Sequence, residues 1–296
     1  MAPCGMDSPL TSVALPAALA LIMFGLGLSL TVDDFRRIGR EPKPVVIALV
    51  IQLVLLPALC FGLVIALDLE AILAVGMLLL AASPGGTTAN LFSHLFRGDV
   101  ALNITLTALN SVIAVVTLPL VVNAAVSYFD PPGAGDIGLQ LGKTLQVFAI
   151  VLVPVAIGMV VRRSRPAFAT QADKPVRIAS AVVLAAVIVG ALLAERENIG
   201  DYLADIGAAT VIFCAVSLTL GYLLPRLAGV TERQAIASAF EVGIHNSTLA
   251  IAVAVTVMGE ETLAVPAAVY GVLMFPLALL AGLALRKRAA PVPAGR

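Results

Sequence analysis

The chain has 296 residues, of which 60% are apolar and 12% are charged, with a mean hydropathy of +1.05 and no net charge. Soluble domains contain about 45–50% apolar and about 25% charged residues, so this chain has too few polar residues to cover a water-soluble surface. The balanced charge gives no indication of a nucleic-acid partner, and the composition indicates an integral membrane protein surrounded by the lipid bilayer.

Long apolar stretches follow one another along the chain and are separated by short loops. Because about 20 apolar residues in a helix cross a bilayer, they predict an all-α membrane protein with about nine transmembrane helices, forming a single transmembrane unit over residues 1–296. Residues 1–9 contain no basic residue, so the first stretch is interpreted as a span and not as a cleaved signal. The predicted spans cover residues 10–31, 44–67, 70–96, 99–125, 140–161, 177–195, 206–228, 232–259 and 262–285.

The distribution of basic residues predicts the orientation of these spans. With nine spans, all of the 18 Lys and Arg residues except Lys143 and Arg196 fall on the side of the odd-numbered loops and the C-terminus. Cytoplasmic loops carry the excess of Lys and Arg in membrane proteins. We therefore expect a multi-pass protein of the cell (inner) membrane, with its N-terminus outside and its C-terminus in the cytoplasm.

Two of the predicted spans are interrupted. The third contains Pro84-Gly85-Gly86, in which proline cannot continue a helical ladder and glycine tolerates unusual backbone angles. The eighth is interrupted near Gly243. Each is followed by a helix with an internal proline, at Pro119 and Pro276, and an offset of five spans places the two copies in opposite orientations. The pattern predicts inverted repeats in which spans one to four match spans six to nine.

Polar residues cluster at the two interruptions and on the fourth span. Asn103, Thr107, Asn110 and Ser111 occupy one face of that span, and Glu241 is the only carboxylate deep within an apolar stretch. A charge at the bilayer centre costs about 2.5–3.5 kcal/mol, so Glu241 is predicted to bind a cation or carry a proton, or else to be a structural acid paired with Asn or Thr.

A broken membrane helix supplies two kinds of ligand. Its first half ends in free carbonyl oxygens, which suit a hard cation such as Na⁺, and its second half begins with free amides and a positive dipole end, which suit an anion. The interruptions therefore predict neighbouring cation and anion sites.

Four segments of the sequence carry a resemblance to a known family. They are Ser83–Asn90, Arg97–Leu102, Glu241–Ser247 and Met23–Leu28, and together they resemble the bile acid:sodium symporter family over nearly the whole chain. The resemblance implies inverted repeats with two crossed broken helices, a core domain at about 44–125 and 206–285, and a panel domain at about 10–31 and 140–195. It also implies alternating access between these domains.

The resemblance further implies one or two bound sodium ions and an adjacent anion site. Asn103 stands where a relative has Ser, Ala89 where Ser is usual, and His245 where Gln is usual. Imidazole nitrogen is a poor ligand for a hard cation and titrates near neutral pH, so one sodium, two sodiums, or mixed sodium and proton coupling remain open. The implied first sodium site is Asn90, Asn103, Thr107 and Glu241; the second is Gln52, Glu241, His245 and the carbonyls of Val242 and Ile244; the anion site is Thr87, Thr88, the amide of Ala89, and Asn246.

The sequence is thus interpreted as a secondary active transporter that couples sodium to the symport of a small organic anion, and not as an enzyme. Two alternatives stay open: a proton-coupled organic anion transporter or exporter, and a membrane-embedded enzyme that uses Glu241 and His245 as acid and base. Against the enzyme, the sequence contains no HExxH motif or nucleophile elbow.

Overall fold

A computed structural model describes residues 39–133, 141–172 and 199–286 continuously, together with scattered positions between 20 and 36 and between 175 and 182. Every regular element in this part of the chain is a helix, and no sheet occurs among these residues. The described helices are α1 (Pro42–Ala66, with a π-helical turn at Ile51–Leu55), α2 (Ala71–Ala82), α3 (Thr87–Leu95), α4 (Val100–Phe129), α5 (Leu141–Ser164), α6 (Ile199–Leu227), α7 (Glu232–Gly243), α8 (Ser247–Met258, π-helical from Val253) and α9 (Val265–Arg286).

These helices match seven of the predicted spans in place, and four of them are long and apolar enough to cross a membrane. The largest difference lies at α6, which begins at Ile199 although the apolar stretch begins at Ile206. The added turns carry Asp201 and Asp205, which lower the hydropathy without ending the helix. The predicted spans 10–31 and 177–195 lie mostly outside the described residues, so the total of nine remains a prediction.

Exposed valines and leucines form stripes along the long helices. On α1, Val46, Val50 and Val54 recur every four residues and are 53–64% exposed. Val116 and Leu120 continue such a stripe on α4 at 54% and 64%. In water such faces would be costly, so they indicate contact with lipid.

The interior of the bundle is built around α2. Every residue of α2 from Ile72 to Ala82 is buried, so this helix has no lipid-facing side. It packs against α1, α4 and α9, while α7 packs against α3, α4 and α6. The described chain therefore surrounds its two short broken helices with long ones.

Both predicted interruptions are present. Helix α2 stops at Ala82, Ser83 and Gly86 are extended, and α3 begins at Thr87. Likewise α7 stops at Gly243 and α8 begins at Ser247. The following helices, α4 and α9, each contain an internal proline, Pro119 and Pro276.

Candidate functional site

The two unwound segments lie against each other in the interior of the bundle. Gly85 and His245 form an antiparallel pairing of the two backbones. On either side of it, the Gly86 amide donates to the Ile244 carbonyl and the Asn246 amide donates to the Pro84 carbonyl, both at 2.8 Å. Because an unpaired backbone group in hydrocarbon costs several kcal/mol, this mutual pairing explains how both helices remain broken inside the bundle.

Gly85 is required at this pairing because of Glu241. A Cβ atom at position 85 would collide with the Glu241 side-chain carboxylate and would lie 2.7 Å from the Glu241 carbonyl oxygen. Gly86 is different, since a Cβ there would meet only atoms at 3.4 Å or more. The missing side chain at position 85 therefore lets the Glu241 carboxylate reach the crossing, which is the point where the two breaks pair at Gly85 and His245.

The Glu241 carboxylate is completely buried and faces α4. Thr107 donates its hydroxyl to one carboxylate oxygen at 2.6 Å, and Asn110 donates its amide to the other at 3.0 Å. The Thr107 hydroxyl is also 3.0 Å from the Asn103 carbonyl, one turn earlier on α4. These two hydrogen bonds orient the carboxylate, and no cationic side chain pairs with it within the described ranges.

Several buried side-chain amide oxygens on α3 and α4 have no hydrogen-bond partner within the described part of the chain. They are the side-chain oxygens of Asn90, Asn103 and Asn110. Asn103 donates its amide nitrogen to the Ala237 carbonyl at 2.8 Å, which fixes the side chain and leaves its oxygen available. Buried polar atoms are nearly always paired in proteins, and these unpaired oxygens are of the type that could coordinate a cation.

The second predicted group lies around the Ser83 carbonyl, on the side of the crossing where α1 contributes Gln52. Gln52, in the π-helical turn of α1, donates its amide to that carbonyl at 3.0 Å. His245 Nδ1 lies 3.3 Å from the same carbonyl oxygen and 3.4 Å from Gln52 Nε2. Gln52 Oε1 and His245 Nε2 have no partner among the described residues. Val242 and Ile244 are fully buried, and the Ile244 carbonyl already accepts the Gly86 amide.

Aromatic side chains enclose the His245 ring. Phe213 of α6 stacks on it with ring centroids 5.3 Å apart, and Tyr270 of α9 meets it edge-on at 5.5 Å. The Tyr270 hydroxyl donates to the Gly243 carbonyl at 2.9 Å. The imidazole is therefore a tightly packed side chain that lines the crossing.

The residues predicted to bind the anion lie at the starts of α3 and α8. The Ala89 amide donates to the Gly86 carbonyl at 2.9 Å, so it is already engaged, whereas the amides of Thr87 and Thr88 belong to the first turn and have no acceptor within the helix. Asn246 caps α8, accepting the Leu249 amide at 3.0 Å through its side-chain oxygen. Its side-chain amide nitrogen remains available as a donor.

The sequence interpretation missed some participants. Asn110 was placed on the polar face of the fourth span but not assigned to a site, although its position three residues after Thr107 put it on the Glu241 side. Phe213, Tyr270 and the Ser83 carbonyl gave no signal, because aromatic residues in apolar spans are ordinary and a carbonyl is common to every residue.

Comparison with known proteins gives a consistent set of relatives. The sequence model of the sodium bile acid symporter family matches residues 16–202. The chain is 30% identical over 254 residues to an uncharacterized sodium-dependent transporter, YocS, of Bacillus subtilis, covering 86% of this chain and 77% of that protein. It is 30% identical over 244 residues to the ileal sodium/bile acid cotransporter of Homo sapiens, covering 82% of this chain and 69% of that one.

A plant relative is also similar. The chain is 29% identical over 262 residues to a probable chloroplastic sodium/metabolite cotransporter, BASS2, of Oryza sativa, covering 86% of this chain but only 60% of that protein. The family and these relatives are transporters and not enzymes.

Proposed function

Because this chain belongs to the sodium bile acid symporter family, we propose that it is a secondary transporter that imports a small organic anion together with sodium by alternating access. The single observation that carries the proposal is the buried Glu241 carboxylate at the crossing of two broken helices, beside oxygens without partners. The proposal extends to this chain the sodium dependence that the names of its relatives state.

The donors on the α4 side of the crossing fit one sodium ion. Hard cations take oxygen ligands, and broken membrane helices supply them together with carboxylates. Glu241 would provide the charge, Thr107 a hydroxyl, and Asn90 and Asn103 their unpartnered side-chain oxygens. A sodium ion held there would neutralise a charge that two hydrogen bonds leave uncompensated.

An anion would be held at the starts of the second half-helices. The positive dipole end of α3 and the amides of Thr87 and Thr88 suit a carboxylate, and Asn246 would add its side-chain amide. Because the Ala89 amide is engaged with Gly86, it would help only through the dipole. Cation and anion would thus occupy opposite sides of the same breaks, which couples their binding electrostatically.

The proposed architecture follows the same pattern. Nine spans in inverted repeats would form a core at about 44–125 and 206–285 and a panel at about 10–31 and 140–195, with the N-terminus outside the cell membrane and the C-terminus in the cytoplasm. Movement of the panel against the core would open the crossing to each side in turn. The inward sodium gradient would drive the cycle, and any net positive charge carried inward would add about 2.3 kcal/mol per elementary charge per 100 mV.

One alternative has an observation in its favour. Glu241 and His245 are both buried at the crossing, so a proton could replace sodium as the coupling ion in an anion transporter or exporter. This alternative predicts that transport depends on pH and is the same in Na⁺ and K⁺.

The test is uptake by purified protein in proteoliposomes, using a set of labelled organic anions that includes bile acids, keto acids and pantoate-like compounds. An inward Na⁺ gradient should drive accumulation of at least one of them, and an equal K⁺ gradient should not. Glu232→Gln, at the surface end of the same helix, should leave uptake intact and serves as the matched control for Glu241→Gln. Equal uptake with both cations and stimulation by an inward proton gradient would establish the alternative.

A further inference from the structure

The two sides of the crossing offer different kinds of donor to a cation. On the α4 side the groups without partners are oxygens, on Asn90, Asn103 and Asn110. On the α1 side the unpartnered groups are one oxygen, Gln52 Oε1, and one nitrogen, His245 Nε2, and His245 Nδ1 lies near the Ser83 carbonyl. Imidazole suits transition metals, whereas hard cations prefer carboxylate, carbonyl and water oxygens.

The carbonyl oxygen that a cation would seek on the α1 side is already satisfied. Ser83 follows the last residue of α2, where the negative end of the helix dipole lies. Its carbonyl accepts the Gln52 amide at 3.0 Å and has His245 Nδ1 at 3.3 Å. The Ser83 carbonyl is therefore occupied by the Gln52 amide and flanked by the His245 ring nitrogen, in the position where a bound cation would otherwise lie.

The negatively charged carboxylate of Glu241 is hydrogen-bonded on the α4 side. Both oxygens of the Glu241 carboxylate accept hydrogen bonds from α4, one from Thr107 and one from Asn110. A second cation on the α1 side would depend mainly on neutral oxygens, those of Gln52, Val242 and Ile244, and the last of these carbonyls already accepts the Gly86 amide. The ring is packed between Phe213 and Tyr270, which favours this orientation.

We propose that this chain binds a single sodium ion, on the Glu241–Thr107 side of the crossing, and that the imidazole of His245 takes the place of a second one. The donors present on the α1 side do not fit sodium. The inference rests on the proposed function and deepens it, since it fixes the coupling ratio at one sodium in each cycle. Import of a monovalent anion would then move no net charge.

The experiment counts ions directly and needs no organic substrate. Binding of ²²Na⁺ to the purified full chain in detergent is measured to saturation, with choline keeping the ionic strength constant. The variants are His245→Gln, which puts an amide oxygen where the imidazole stands, and His94→Gln, the same substitution at the only other histidine, which is exposed at the end of α3.

Wild type and His94→Gln should each bind one ion per chain with a Hill coefficient of one. His245→Gln should bind two, with a Hill coefficient above one. His245→Asn serves the same purpose should His245→Gln fail to fold. Two ions on wild type, or one ion on the folded His245 variants, would overturn the inference while leaving sodium coupling intact. Binding of no sodium by wild type would overturn the proposed function itself.

Discussion

The two helix breaks that meet at the centre of this protein have different compositions and different roles. The break between α2 and α3 contains Ser83-Pro84-Gly85-Gly86 and contributes backbone atoms: two carbonyls, an amide and the space left by Gly85. The break between α7 and α8 contributes side chains, with Glu241 just before it and His245 and Asn246 within it. Both breaks supply backbone groups to their mutual pairing, but the first also supplies room and the second supplies the charged and polar side chains.

This difference shows that two helix breaks that pair with each other need not divide the chemistry equally. Proline and glycine enforce the first break by local backbone preference, whatever surrounds it. The second break contains no proline and is held by pairing with the first, through the amides of Gly86 and Asn246. The second break should therefore depend on the first more than the first depends on the second.

The largest effect is expected where the two breaks touch most closely. In Gly85→Ala the new methyl group would displace the Glu241 carboxylate, at a cost of about 3 kcal/mol and about a 100-fold loss of sodium affinity. Gly86→Ala should change affinity less than about threefold, because its Cβ meets only ordinary contacts. Sodium titration by thermal shift measures both variants.

Gly62→Ala, in open space on α1, controls for the loss of a glycine from the protein. Equal sodium affinity in Gly85→Ala and Gly86→Ala would show that the two breaks do not fit each other in this way.

A smaller effect is expected from the donor that joins α4 to the second break. Thr107→Val removes the hydroxyl that donates to Glu241 at 2.6 Å. A hydrogen bond to a charged group contributes about 1.5–3 kcal/mol, so sodium affinity should fall about 10- to 100-fold.

Thr105→Val is the matched control for this change, since the equally buried Thr105 hydroxyl bonds only to the Ala101 carbonyl of its own helix. Its sodium affinity should stay within about twofold of wild type. Similar losses in the two variants would point to a general packing defect instead of a role for Thr107 at the site.

The smallest effect is expected from Asn246, which closes the second break. Asn246→Ala removes the cap on the Leu249 amide and should lower the free energy of unfolding by about 1 kcal/mol. Sodium affinity should remain unchanged, because the Asn246 side chain is bonded to α8 and not to Glu241. Affinity for the anion should fall, as measured by the substrate concentration giving half-maximal uptake. A large fall in sodium affinity would contradict this separation of the two sites.

The sequence predicted what local chemistry determines. Pro84, Gly85 and Gly86 predicted one break, and Gly243 with the polar run around it predicted the other. Thr107 was recognised because polar residues repeated at helical spacing.

The pairing between distant segments was not accessible from one sequence. Thr107 and Asn110 lie 134 and 131 residues from Glu241, and only the register between α4 and α7 decides which of them reaches it. The same holds for Phe213 and Tyr270 around His245. The beginning of α6 at Ile199 was missed because hydropathy measures where a helix can lie in lipid, not where its hydrogen bonds begin.

The central claim is that Glu241 is the charge that sodium neutralises at the crossing, and a thermal-shift comparison in Na⁺ and K⁺ tests it most directly. Wild type should be stabilised by Na⁺ and not by K⁺. Glu241→Gln should show no difference in melting temperature between the two cations. In sodium-free buffer this variant should melt above wild type, because it lacks a buried charge that costs about 2.5–3.5 kcal/mol. Sodium-specific stabilisation that survives in Glu241→Gln would contradict the claim.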